Sequence, residues 1–207
     1  MKAILHDMQA GPPLLLPLLR SRLQAELLTA VLLSPDEEWT LTRLANHVGT
    51  SVATAQREIA RAEQAGVVST RRLGNSRLVR SEPSPLTEPL TTLLLRSFGP
   101  PQVIAEAMAE VQGIERVYVF GSWAARYVGQ SGRPPVDIDV LVIGAPNRDD
   151  LDDSAVRAGM RLAREVNVTI RTVDWWHNGA DGFHTEVISR PLVPVLQRDT
   201  SYDKRKS

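Results

Sequence analysis

The sequence predicts an α plus α/β fold: a front unit of helices closed by a β-hairpin, then an α/β unit on a small mixed sheet. Three observations carry that prediction. Residues 41–80 hold seven arginines (43, 57, 61, 71, 72, 77 and 80) against Glu58 and Glu63, a net of +5. Residues 135–155 hold Arg148 against six aspartates (137, 139, 149, 150, 152 and 153), a net of −5. Pro-rich and Gly-rich punctuation falls between them, at Ser81-Glu82-Pro83-Ser84-Pro85 and at Gly99-Pro100-Pro101. The net charge of zero is therefore the sum of two opposed regions, which implies two chemistries.

The expected division is a front domain over 12–82, a connector helix over 83–98, a second domain over 99–197 and a polar tail over 198–207. The chain has 207 residues and no cysteine, which excludes a disulfide framework and a cysteine-ligated zinc site. Its 43% hydrophobic content is that of a globular protein. The most apolar stretch, residues 12–33, is interrupted by Pro17, Arg20, Arg22 and Glu26, so it lacks the roughly 18 uncharged residues of a membrane span. No secretory signal is legible in residues 1–11, and a cytoplasmic location is expected.

Leucines 15, 18, 19, 23, 27 and 28 mark an apolar face and predict a helix over 14–33. A short helix over 42–49 is closed by Gly49. Thr50-Ser51 then offers an N-cap to a longer helix closed by Gly66. Residues 67–80 alternate like two strands around Leu73-Gly74-Asn75, with Gly-Asn as the turn. This order, with a basic hairpin after the third helix, is that of a winged helix-turn-helix. In the third helix, Val52, Ala55, Ile59 and Ala62 share one face and are expected to enter the core. Ser51, Thr54, Gln56, Arg57 and Arg61 are left toward the outside. Short hydroxyls suit phosphates, and Gln and Arg suit base edges in a major groove. Arg71, Arg72, Arg77 and Arg80 on the hairpin extend the basic surface, so duplex DNA is the expected partner. The segment resembles the winged helix-turn-helix of ArsR-like bacterial repressors over about 70 residues. It lacks the metal-sensing cysteines many of them use.

In the second domain, Val117–Phe120 reads as a short buried strand ended by Gly121-Ser122, with a helix directly after. A glycine there permits close backbone approach, and free N–H groups at the helix start favour a phosphate. Residues 136–143 read as a second strand. Its alternation puts Asp137 and Asp139 on one face, about 7 Å apart at Cα, with Ile138 and Val140 in the core. Neighbouring carboxylates repel unless a cation lies between them, and Mg²⁺ held jointly with substrate phosphates is the natural candidate. A phosphate cradle facing a carboxylate pair supplies the parts for metal-assisted nucleotidyl transfer.

The combination of strand, Gly-Ser, helix and Asp-x-Asp strand resembles the minimal nucleotidyltransferases of the polymerase-beta-like superfamily over about residues 103–175. The resemblance implies that Gly121 and Ser122 hold the phosphates of a nucleoside triphosphate. It also implies that Asp137 and Asp139 hold Mg²⁺ as the catalytic pair. The spacer carries Gly132-Arg133-Pro134-Pro135, which reads as a loop insertion. The third carboxylate of that family aligns here with Asn167, flanked by Glu165 and Thr169 on one face; Glu165 is expected to end the preceding helix.

Residues 149–165 predict an amphipathic helix with acids early and arginines late, which suits the helix dipole. Trp175 and Trp176 fit either packing against the last helix or stacking on a base. The expectations are a DNA-binding regulator with a nucleotide- and Mg²⁺-binding back domain, or an active nucleotidyltransferase of the kind found in toxin–antitoxin pairs. A homodimer is expected, with residues 14–33 and 90–95 as its leucine-rich interface.

Overall fold

The structure is a computed structural model that describes residues 19–130 and 135–198. These residues divide into two compact units, a front unit up to Gly99 and a back unit from Pro100, with residues 160–163 grouping with the front unit. Residues 14–18 of the first expected helix, most of the loop read at 132–135, and residues 199–207 of the tail lie outside the described residues.

The front unit runs α1 (Arg22–Leu32), β1 (Trp39–Thr40), α2 (Leu41–His47), α3 (Val52–Gln64), β2 (Val68–Leu73), β3 (Ser76–Ser81) and α4 (Thr87–Phe98). Helix α1 starts at Arg22, later than the leucine pattern predicts. The Ser21 hydroxyl accepts the Gln24 N–H, and Ser21 itself is extended, so it caps the helix. Strand β1 is too short to show in the sequence pattern. It completes an antiparallel sheet of order β1-β3-β2, with Trp39 opposite Val79. The hairpin turns on Gly74-Asn75, where Gly74 takes φ +57.

One core unites these elements: Leu27, Val31 and Leu32 of α1, Leu44 of α2, Ala55 and Ile59 of α3, Val79 of β3, and Leu94 and Phe98 of α4. The segment read as a connector is thus built into the front unit. Within the expected interface, Leu27, Leu28, Leu94 and Leu95 are buried in this core where α1 packs on α4, whereas Leu93 is exposed and residues 14–18 lie outside the described residues. Val52 also departs from expectation. It is the first residue of α3, one place after the Ser51 cap, and is 41% exposed.

The back unit runs α5 (Pro100–Met108), β4 (Ile114–Phe120), α6 (Gly121–Tyr127), β5 (Asp137–Gly144), α7 (Arg148–Leu162), β6 (Glu165–Arg171), α8 (Val173–Asn178), α9 (Gly182–Ser189) and β7 (Val193–Gln197). Its sheet is mixed, of order β6-β5-β4-β7, with β5 and β6 parallel and the other neighbours antiparallel. Ile138, Val140 and Val142 of β5 are fully buried with Val117 of β4, Ile104 and Met108 of α5, and Leu151 of α7. Asn147 starts α7 by accepting the N–H groups of Asp149 and Asp150. The helix ends at Leu162, and Glu165 begins β6 instead of ending α7. Left-handed Ala163 (φ 51) turns the chain between them. The opposite sheet face carries Tyr118, Phe120, Leu141 and Ile143 under the aromatic side chains of α8 and α9.

Candidate nucleic-acid and nucleotide interfaces

On α3 the outward residues Ser51, Gln56, Arg57 and Arg61 are exposed and Thr54 is half-buried. The helix start is internally bonded. Ser51 Oγ accepts the Thr54 N–H and donates to Thr54 Oγ1, which also accepts from the Arg57 guanidinium at 3.1 Å. Arg71, Arg72 and Arg80 of the hairpin are exposed and Arg77 is half-buried. A groove of about 730 Å³ joins helix to hairpin; Gln56, Arg71, Arg72 and Arg77 are among its lining residues, with Thr42 of α2.

The ion pairing of this surface is what sequence reading missed. Arg71 makes a two-pronged bond to Glu38, at 2.8 and 2.5 Å. Arg77 reaches Glu63 at 2.9 Å, and Glu63 also accepts the N–H and hydroxyl of Thr70, tying α3 to the hairpin. Arg61 pairs with Glu58 at 2.6 Å, Arg43 with Glu37 at 3.4 Å, and Arg80 approaches Glu82 at 3.9 Å. Five of the seven arginines therefore have a carboxylate within ion-pair range. Counted over residues 36–82, the seven arginines face six acids (Asp36, Glu37, Glu38, Glu58, Glu63 and Glu82), a net of +1. The Glu58–Arg61 spacing along a helix was a readable signal. The other partners lie outside the basic segment or across the fold. Glu38 is held below its usual carboxylate range, first by the hydrogen bonds from Arg71.

In the back unit, strand pairing assembles the second site. Phe120 pairs with Asp139 between β4 and β5, so the chain turns into Gly121 beside that carboxylate. Gly121 takes φ +67, and a Cβ there would lie 2.6 Å from Asp139 Oδ2. The backbone can approach the aspartate only as glycine. Between β5 and β6, Asp137 pairs with Glu165 and Asp139 with Asn167, which puts all four on one face. The Asn167 amide donates to Asp137 Oδ2 at 3.0 Å. The Asp139 carboxyl is raised above its usual range. Burial is the main cause and the charge of Asp137 the second, and the Asn167 amide offsets part of the rise. Gly121, Asp137, Asp139 and Asn167 thus converge, and Ser122 follows Gly121 at an exposed position.

Arg164, read in the sequence as a late arginine of the 149–165 helix, lies beyond the end of α7. Its Nε donates to the Pro135 carbonyl at 3.0 Å, two residues before Asp137. Its guanidinium lies over the Trp123 ring, 5.5 Å from the centroid, one residue after Ser122. It ties together the starts of β5, α6 and β6, a role with no local signature.

The tryptophans pack. Trp176 stacks on Tyr118 at 4.8 Å, Trp175 Nε1 donates to Asp181 at 2.6 Å, and Arg171 lies over Trp175 and Phe183. His184 is buried beside Trp175, and His177 is exposed. His47 is half-buried, with its ring 5.1 Å from Trp39. Among the described residues no group of three or more His, Cys, Asp or Glu side chains converges to hold a metal, and no helix is long and apolar enough to cross a membrane.

Among solved structures, the chain is similar to reduced HlyU from Vibrio cholerae N16961, at 20% identity and a TM-score of 0.30, over 34% of this chain and 74% of that one. No protein-family model matches the sequence, and no curated protein matches it.

Proposed function

We propose that the chain is a DNA-binding regulator of transcription whose back unit binds a nucleoside triphosphate with Mg²⁺. The observation that carries the DNA half is one continuous surface: the outward side of α3 and the hairpin share a groove bearing Gln56, Arg71, Arg72 and Arg77. Helix α3 supplies Gln56, Arg57 and Arg61 to base edges, Ser51 and Thr54 face phosphates, and the hairpin arginines follow the backbone. Pairing with DNA exchanges the internal carboxylates of Arg43, Arg61, Arg71, Arg77 and Arg80 for phosphates. Affinity therefore falls steeply with salt as counterions are released. A fluorescence-anisotropy titration across genomic fragments tests this, and no binding at low salt would refute it. A two-fold dimer reading paired half-sites suits this function.

The donor set of the back unit fits Mg²⁺. The carboxylates of Asp137 and Asp139 suit an ion that takes its remaining oxygens from substrate phosphates, and Glu165 lies opposite Asp137 on the same face. The Asp139 carboxyl is raised chiefly by burial and then by the charge of Asp137, and a bound cation would offset both. Asp137 and Asp139 would hold the ion, and Gly121 and Ser122 would receive the phosphates. Bound Mg²⁺ would supply charge neutralisation at the phosphates. Calorimetry with each nucleoside triphosphate and Mg²⁺ tests this half; no heat for any of the four would refute it.

A second reading, active nucleotidyl transfer to a protein, RNA or small molecule, is favoured by the convergence of Gly121 on Asp139. Asn167 opposes it as a fast reaction. Its amide donates to Asp137 and cannot take a proton from an attacking hydroxyl. A missing general base costs about 10²–10⁴-fold in rate. Asn167→Asp is expected to raise transfer of labelled nucleotide. Robust multiple turnover by the unmodified protein would make the enzyme the better reading.

A further inference from the structure

The two edges of the back sheet are treated differently. At one edge, β7 carries Pro194, which has no N–H to offer, and its pairing with β4 shifts register between Val117 and Tyr118. Proline and irregularity are the usual guards of a free edge. At the other edge, β6 runs seven residues, Glu-Val-Asn-Val-Thr-Ile-Arg, without proline, glycine or a shift in register against β5. Among the described residues it pairs with β5 alone. Glu165 is exposed and every other residue of the strand is only partly buried. A groove of about 570 Å³ is lined by Val166 and Val168 of this strand and by Ala155, Val156 and Gly159 of α7, with Arg148, Asp152 and Arg164 among its charged residues. Val156 is 56% exposed. A long unguarded edge beside exposed apolar side chains is a template for another strand.

The strand's own sequence says which one. Laid antiparallel against itself about Val168, it sets Glu165 opposite Arg171, Val166 opposite Ile170, Asn167 opposite Thr169, and Val168 opposite itself. Charge meets opposite charge, polar meets polar and apolar meets apolar at every position. Centring the pair on Asn167 leaves Arg171 without a partner. Centring it between residues sets apolar side chains opposite polar ones. Such self-complementarity is what an isologous two-fold contact requires, and it closes on two copies. We propose that a second copy of this chain docks on β6, antiparallel about a two-fold through Val168, so that two four-stranded sheets become one of eight strands. Glu165, Asn167, Thr169 and Arg171 of each copy then lie on the carboxylate face, and Val166, Val168 and Ile170 on the face of α7. The proposal stands on the edge itself and holds whether or not either unit binds its ligand.

Because the chain has no cysteine, a single Val168→Cys reports the axis directly. Cβ atoms of directly opposed residues lie about 4.5–5.5 Å apart, close enough for a disulfide to form with a small adjustment. Mild oxidation is expected to give a disulfide-linked dimer on a non-reducing gel, whereas Leu73→Cys on the exposed hairpin turn stays monomeric. Light scattering is expected to give twice the 22.8 kDa chain mass for the unmodified protein and the single-chain mass for Glu165→Arg. Adding Arg171→Glu to Glu165→Arg restores the dimer by exchanging the two charges. Arg171 also lies over Trp175 and Phe183, so folding of the double variant is checked by circular dichroism. If it unfolds, Val168→Cys and Glu165→Arg decide alone. A single-chain mass for the unmodified protein at tens of micromolar overturns the proposal. So does a dimer that neither crosslinks through position 168 nor dissociates on Glu165→Arg.

Discussion

The arginines of the front unit and the aspartates of the back unit are the two concentrations of charge in this chain, and the fold handles them in opposite ways. The arginines are dispersed among acids: Arg43, Arg61, Arg71, Arg77 and Arg80 each have a glutamate within ion-pair range. The aspartates are brought together. Asp137 and Asp139 share a strand face, Asn167 donates to Asp137, and the adjoining turn is made by Gly121, where a side chain would crowd Asp139. A charge run with built-in partners is stable on its own, and the proposed pairing with DNA would have to displace those partners. Like charges held together against repulsion cost stability and are tolerated where a ligand repays it. The contrast shows that a sum of charges along a segment is a poor measure of the surface it forms.

The largest expected effect comes from removing the repulsion. Replacing both Asp137 and Asp139 by Asn should abolish Mg²⁺-dependent nucleotide binding in calorimetry while the fold persists. Asp139→Asn alone should raise the melting temperature at pH 7 without Mg²⁺. The sign follows from the raised carboxyl of Asp139: its favourable contribution is complete below the ordinary carboxylate range and is lost as pH rises through the raised value. The gap between variant and unmodified protein should therefore close in melts at pH 4. Equal melting temperatures at pH 7 would remove the strain from the comparison.

Next is Gly121→Ala. A left-handed alanine costs about 1–2 kcal/mol, and its Cβ would press on Asp139. Both the melting temperature and Mg²⁺-dependent binding should fall, in contrast to the stabilising Asp139→Asn.

On the basic surface the pairing predicts a ranking. Arg57 bonds a hydroxyl and has no carboxylate partner described, so it is free to read a base, and Arg57→Ala should weaken DNA binding by about 1–3 kcal/mol. Arg71→Ala should cost less, because Arg71 must first leave Glu38. Glu38→Gln should strengthen binding by releasing it. Anisotropy titrations of the three variants at one salt concentration check the order.

The smallest expected effect is at His47, whose imidazole is held below its usual range, chiefly by burial and then by Arg43. Its contribution to stability is full above the ordinary imidazole range and is lost as pH falls through that range. Melts between pH 5 and pH 8 should show a shallower slope for His47→Gln than for the unmodified protein.

What was legible in the sequence was local. The third helix and hairpin could be read because caps, glycine stops and alternation act over a few residues, and Ala55, Ile59 and Ala62 are buried as their spacing requires. Val52 misled because it sits in the first turn, where a helical stripe has not yet reached the core. The Asp137–Asp139 pair was legible because alternation along one strand fixes a shared face. Sequence alone therefore determined the helices and hairpin around α3, the inward faces of Ala55, Ile59 and Ala62 and of Ile138 and Val140, and where the unlike charges concentrate. Tertiary structure decided the rest: that Arg71 meets Glu38 and Arg77 meets Glu63, that β1 joins the hairpin, that α4 closes the front core, that a side chain at Gly121 would crowd Asp139, and that β6 is left at an edge. Each depends on strands or helices far apart in the chain being set side by side, and neither periodicity nor a charge count carries the position of a partner 14 or 33 residues away.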